Sequence, residues 1–194
     1  MWAQIMPALR IKIFFTVLLG VIYPLAITAI SQAIFPHQSN GSLVEVGGKV
    51  IGSELIGQNF SKPQYFHPRP SAAGNDGYDP TSSGGSNFGP TNQKLIDRVK
   101  ADVAKFRKDN PDYDGPIPAD LVTTSASGLD PDLSPDSALA QAARVAKARG
   151  VSIEQIKQLV GQSVQAPDLG ILGEPRVNVL RLNLLLDRQY PAGR

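Results

Sequence analysis

The run Ile13–Phe35, IFFTVLLGVIYPLAITAISQAIF, limits what this chain can fold into more than any other stretch. Its first 18 residues, to Ile30, carry no charge, and the apolar character continues more weakly to Phe35. A helix of that length, at about 1.5 Å per residue, reaches roughly 34 Å, enough to cross a hydrocarbon core of about 30 Å. Arg10 and Lys12 precede the run, and the first 12 residues hold no acidic side chain. That asymmetry keeps the basic end in the cytoplasm. The expected organisation is a short cytoplasmic N-terminus (1–12), a transmembrane helix (13–35) and one exported, extracytoplasmic domain (36–194) of a single-pass membrane protein. A secretory signal peptide is the rival, and Ser31-Gln32-Ala33 would suit its cleavage. Its apolar core usually spans about 7–15 residues, so the longer run favours an uncleaved anchor. Pro24 is expected to kink the helix. Gly20, Tyr23 and Pro24 are the candidates for packing against other membrane helices.

Beyond the anchor lie 159 residues, enough for one domain with its own core. Of 19 basic residues two precede the run, leaving 17 against 17 acidic ones. A formally neutral domain argues against a nucleic-acid partner, which calls for a basic stripe. Cysteine is absent, which excludes disulfides, thiolate metal sites and a lipidated cysteine.

Local signals predict a mixed α+β unit. Leu43–Val46 and Lys49–Ile51 flank Gly47-Gly48 and read as a β-hairpin. The stretch Tyr65–Asn87, YFHPRPSAAGNDGYDPTSSGGSN, is too rich in Pro, Gly, Ser and Asn for regular structure. Its interleaved aromatics favour an ordered loop, and long irregular loops in compact domains are usually functional or disordered. Asn92 caps a predicted helix carrying Leu95, Val99, Val103 and Phe106, which Asn110-Pro111 ends. Leu121–Thr124 reads as a short strand, and Ser134-Pro135 opens a helix running to Arg149 and closed by Gly150. Ser152 and Gln155 form a capping box for the next helix. A last helix is predicted over Val177–Asp187.

Chemistry-bearing motifs are scarce. Gly48-Lys49 is followed by Val50, so no phosphate-binding Gly-Lys-Ser/Thr loop exists. Ser83-Gly84-Gly85-Ser86 reads as a glycine-rich turn. Neither Ser125 nor Ser127 has glycines on both sides at two-residue spacing, and Ser-x-x-Lys is absent. With only His37 and His67, no metal-ligand cluster can be assembled from imidazoles. A stand-alone membrane-anchored binding or hydrolytic protein is the reading left by these residues if the chain acts by itself. The Tyr65–Asn87 loop offers aromatic bodies, an arginine and rigid prolines, the kinds of residue that anchor interfaces. Tyr65, Phe66, His67, Arg69, Tyr78 and Asn87 are its candidate docking residues, and Gly128 is expected at a turn that a side chain would oppose.

Several ordered stretches together resemble one family, the C subunits of the Kdp potassium-transporting P-type ATPase. They include Tyr23-Pro24, Asn40-Gly41-Ser42-Leu43 and Leu55-Ile56-Gly57-Gln58-Asn59-Phe60. Tyr65–Ala72, Ser83–Asn87, Val122–Asp130, Arg144–Arg149 and Val177–Leu180 leading to Asn183 continue the likeness along nearly the whole chain. The resemblance implies a non-catalytic subunit with no cofactor of its own, ATP and potassium being handled by partner subunits. Those partners would be a channel-like potassium-binding subunit, an ATP-hydrolysing P-type subunit and a small single-span one, all in the lipid bilayer. It also implies one of two roles, an external cap over the potassium entrance or a catalytic chaperone that raises ATP affinity. The lack of Asp-Lys-Thr-Gly agrees with a division of labour in which another chain is phosphorylated.

Overall fold

The computed structural model describes residues 2–191. The chain divides between Ile51 and Gly52 into two compact units. In the first, α1 (Trp2–Val17), a π-helical turn (Leu18–Ile22) and α2 (Tyr23–Ile34) follow one another without a break. The stretch apolar and long enough to cross a membrane is Ala3–Ile34, and none of it is buried within the chain. The helix therefore starts some ten residues before the uncharged run, because helical hydrogen bonding needs backbone groups and not an apolar surface. The irregularity expected at Pro24 takes the form of the preceding π turn, in which the Tyr23 N–H donates to the Leu18 carbonyl. Proline offers no N–H to the ladder, and a register slip just ahead of it absorbs the gap. Thr28 Oγ1 donates back to the Pro24 carbonyl at 2.8 Å. A single turn, α3 (Pro36–Ser39), leads to β1 (Leu43–Val46), and β2 (Lys49–Ser53) returns across the Gly47-Gly48 turn as the predicted hairpin.

The second unit begins with about forty residues of loop before α4 (Gln93–Asp109), which Asn92 caps by accepting the Lys94 N–H. Leu121 ends a 3₁₀ turn, Ala119–Leu121, and the residues after it are irregular, so the strand expected over Leu121–Thr124 is not formed. Two side chains override the β propensity of this stretch. Thr123 Oγ1 donates to the Ala119 carbonyl, and the Asp120 carboxylate accepts from the Ser134 N–H at 2.8 Å and from the Ser137 hydroxyl. Strand β3 (Asp132–Leu133) follows, and the predicted helix from Ser134 divides at Ala140-Gln141 into α5 (Pro135–Leu139) and α6 (Ala142–Arg149), closed by Gly150. Helix α7 (Ile153–Ser163) carries the full Ser152/Gln155 capping box. Short β4 (Val164–Gln165) and β5 (Arg176–Asn178) precede α8 (Val179–Gln189). The expected last helix thus gives up its first two residues to a strand, and Asn178 caps what remains.

β5 is the centre of a three-stranded antiparallel sheet, pairing Val177 with Leu133 of β3 and with Val164 of β4. Val177, Leu133, Val145, Ile156, Leu159, Leu182 and Leu186 fill the core between this sheet and the helices, and Phe66 joins them from the loop. An N-terminal apolar helix followed by one mixed α+β domain is the architecture.

Candidate functional site

The loop Tyr65–Asn87 is held by a different kind of bonding at each end. At its start the segment Pro63–Pro68 lies against the helices with no strand beside it, so its backbone groups must be met by side chains. Asn183 on α8 does this for Phe66, accepting the N–H at 2.8 Å and donating Nδ2 to the carbonyl at 3.0 Å. Gln141, in the break between α5 and α6, does the same for His67, at 2.8 and 3.0 Å. Arg144 donates to the carbonyls of Pro63 and Tyr65 and to the side chains of Asn110 and Gln141. Burial lowers the Arg144 guanidinium to about 10, still charged at neutral pH. Arg149 donates to the carbonyls of Gln64 and Tyr190, pairs with Asp187 at 2.7 Å and lies 4.9 Å from the Tyr65 ring centre. Each neutral bond contributes about 1 kcal/mol net, but a buried carbonyl left unmet costs about 1–3 kcal/mol, so the four side chains act as an obligatory clamp.

Farther on, the loop interlocks with the turn Val122–Asp130. The Ser71 hydroxyl donates to the Gly128 carbonyl at 2.6 Å and accepts the N–H groups of Ala73 and Tyr78. Tyr78 donates its hydroxyl to the Arg69 carbonyl, and Arg69 pairs with Asp130 at 2.6 Å. Burial and the nearby Asp130 carboxylate push the Tyr78 phenol up from its ordinary value. The Gly84 N–H donates to the Ser127 carbonyl at 2.8 Å. Gly128 stands at the crossing with φ +67°, and a Cβ there would sit 2.7 Å from the Gly84 carbonyl oxygen and 2.8 Å from the Ala73 nitrogen.

Between the loop and α4 lies a cleft of about 310 Å³, lined among others by His67, Arg69, Tyr78, Asp102, Lys105 and Asp109. Burial, then the Arg144 charge, lowers His67 to about 4, so at neutral pH its imidazole is uncharged. Its Nε2 faces the Lys62 carbonyl at 3.1 Å, which requires that nitrogen to carry the proton. Burial raises the Asp102 carboxyl, against the opposing pull of Arg98 at 3.9 Å. Of the hydroxyls that line the cleft, that of Ser71 is committed to three bonds, two within the loop and one to Gly128 of the Val122–Asp130 turn. The cleft offers a neutral imidazole, the three carboxyl groups of Asp76, Asp102 and Asp109 and an exposed lysine, a polar recess suited to docking a polar segment.

The predicted docking residues separate into three groups. His67, Arg69 and Tyr78 are brought together on the cleft. Phe66 is not a surface residue: its ring is wholly buried in the core, because Asn183 pins both its backbone groups and turns the side chain inward. Tyr65 lies outside the cleft with its hydroxyl committed to Asp187 at 3.0 Å, and Asn87 is exposed at the far end of the loop with φ +51°. On the anchor, Tyr23 is exposed, and among the described residues no atom lies within 4 Å of the position a Cβ on Gly20 would take. Sequence reasoning missed the clamp residues Gln141, Arg144, Arg149 and Asn183. The available signal was polar side chains on otherwise apolar helix faces, among them Arg144 beside Val145 and Asn183 between Leu182 and Leu184.

Residues 5–188 match the family described as K+-transporting ATPase, c chain. The chain is similar to a protein of Myxococcus xanthus, 55% identical over 191 residues, covering 98% of this chain and 90% of the relative. It is 57% identical over 192 residues to one of Caulobacter vibrioides (strain NA1000 / CB15N), covering 98% and 96%. It is 52% identical over 202 residues to one of Rhodopseudomonas palustris (strain TIE-1), covering 98% and 100%. All three relatives carry the name potassium-transporting ATPase KdpC subunit.

Proposed function

The chain belongs to the KdpC family, the c chains of K+-transporting ATPases, and on that premise we propose that it is a non-catalytic accessory subunit of an ATP-driven potassium import complex. In this reading its partners are a channel-like potassium-binding subunit, an ATP-hydrolysing subunit and a small single-span subunit. Residues 1–12 stay in the cytoplasm, 13–35 cross the inner membrane, and 36–194 form an extracytoplasmic domain that caps the external potassium entrance. The observation that carries the reading is collinear likeness over 98% of the chain, anchor included, to proteins of that name. Supporting it, no described residue of the anchor helix is buried, which suits contact of Gly20, Tyr23 and Pro24 with lipid and partner helices. The cleft at His67, Arg69 and Tyr78 is the proposed docking face of the domain, with the exposed Lys105 and Asp76 on its rim.

Side of the membrane decides between cap and catalytic chaperone, because ATP is cytoplasmic. The chain has no cysteine, so a single Ser83→Cys, at an exposed position of the loop, can be probed in sealed cells with a thiol reagent that cannot cross the inner membrane. Labelling in intact cells is expected. Labelling only after the inner membrane is broken would put the domain beside ATP and favour the chaperone role. Co-purification of the co-expressed partner subunits tests membership of the complex, and Lys105→Glu is expected to reduce their recovery if the cleft rim docks.

A further inference from the structure

The two most exposed large apolar side chains among the described residues are not on the membrane helix. They are Leu169 and Ile171, 89% and 83% exposed, with Leu172 beside them at 56%, whereas the anchor's own residues reach 64% at Leu25. All three stand at the tip of a loop that leaves β4 and returns to β5, bounded by Pro167 and Pro175. The tip is ordered by its own backbone. Asp168 and Leu172 exchange N–H···O bonds of 2.9 Å in both directions, and the Gly170 N–H donates to the Pro167 carbonyl at 2.9 Å. At the base, Arg176 holds Asp168 at 3.3 and 3.4 Å. Leu169 adopts φ +54°, a left-handed conformation that disfavours a branched side chain and that Asn or Gly would accept more readily. Among the described residues, none packs over Leu169 or Ile171 to offset the strain or the exposure.

Two surroundings could cover such a tip, a bilayer surface or an apolar pocket in another protein. Loops that sit in the membrane interface carry Trp, Tyr, Lys or Arg, and anionic headgroups favour basic flanks. The tip has no aromatic residue. Its charged neighbours within the loop are the exposed carboxylates of Asp168, 71% exposed even while paired, and Glu174. A rigid apolar knob flanked by carboxylates complements a pocket with an apolar floor and a cationic rim. We propose that Leu169, Ile171 and Leu172 form an anchor that inserts into such a pocket on another subunit of the potassium-transporting complex. The proposal rests on the accessory-subunit reading and adds a second contact, distinct from the cleft.

The test uses the co-expressed, detergent-purified complex. An aliphatic photo-reactive diazirine residue replaces Ile171, and the adduct formed on illumination is identified by mass. A covalent adduct with another subunit supports the inference. An adduct with lipid alone, or none, overturns it in favour of membrane insertion or a free tip. Leu169→Ser combined with Ile171→Ser is expected to lower recovery of the partner subunits about tenfold. The thermal unfolding of the isolated subunit should not change, which separates lost docking from lost folding. Full recovery with the double variant overturns the anchor. Glu174→Lys is expected to lower recovery too, and an unchanged or raised recovery overturns the cationic rim. If the unaltered chain itself brings down no partner, the subunit reading fails, whatever the tip does.

Discussion

The Tyr65–Asn87 loop and the Ala166–Pro175 loop read alike in sequence, both punctuated by Pro and Gly and both forced through left-handed backbone positions. Their fates are opposite. The first is threaded into the molecule, with Phe66 and Ala73 fully buried and its backbone met by Gln141, Arg144 and Asn183. The second closes on itself through a two-residue bridge and leaves its apolar side chains in solvent. Irregular backbone is therefore compatible with the core or with projection. What decides between them is whether other elements supply donors and acceptors for the backbone that regular pairing would otherwise satisfy.

Removing the clamp should break this contrast most strongly. Arg144→Ala takes away the donor from the carbonyls of Pro63 and Tyr65 and from two side chains, and is expected to destabilise the isolated subunit by about 3–5 kcal/mol, read from chemical unfolding in detergent. Phe66→Ala, which leaves a cavity in the core, should cost about the same, 3–5 kcal/mol. If either variant unfolded like the unaltered protein, the loop would be a surface element after all.

Gly128 and Gly170 sharpen the comparison, since they share a left-handed backbone, φ +67° and +78°, but not their surroundings. Gly128→Val meets two backbone atoms under 3 Å away as well as the conformational penalty, and should cost about 2–4 kcal/mol. Gly170→Ala faces open space and should cost only about 1 kcal/mol. Equal losses in thermal unfolding would mean that backbone strain alone matters at both turns.

Acidification should act on the buried loop through His67. Its folded value of about 4 lies below the ordinary 6.5, so the unfolded chain takes up the proton first. Its contribution is fully present above pH 6.5 and declines as the pH falls toward 4, by up to about 1.4 kcal/mol per pH unit. His67→Gln should flatten that part of the stability profile, and a variant with the unaltered slope would remove His67 as its source. The smallest effect belongs to the projecting loop. Leu169→Ser should change the stability of the isolated subunit by less than about 0.5 kcal/mol, because the side chain leaves nothing behind when it is removed. A larger loss would show that the tip packs on its own domain.

Local chemistry alone was enough for much of the fold. A long uncharged run, the Gly-Gly hairpin, the Asn92 cap and the Ser152/Gln155 box are decided by nearest neighbours and by chain polarity, and each is present in the structure. The irregularity of Tyr65–Asn87 and the left-handed turn at Gly128 were legible for the same reason. Tertiary structure decided the rest. Leu121–Thr124 lost its strand to bonds made by Asp120 and Thr123, and the helix from Ser134 broke where Gln141 turns to hold His67, a residue 74 positions away. Phe66 became core and His67 became cleft only because Asn183 and Gln141 hold successive peptide groups of an extended segment, whose side chains point to opposite sides. Such pairings join residues far apart in the chain, and no local periodicity encodes them.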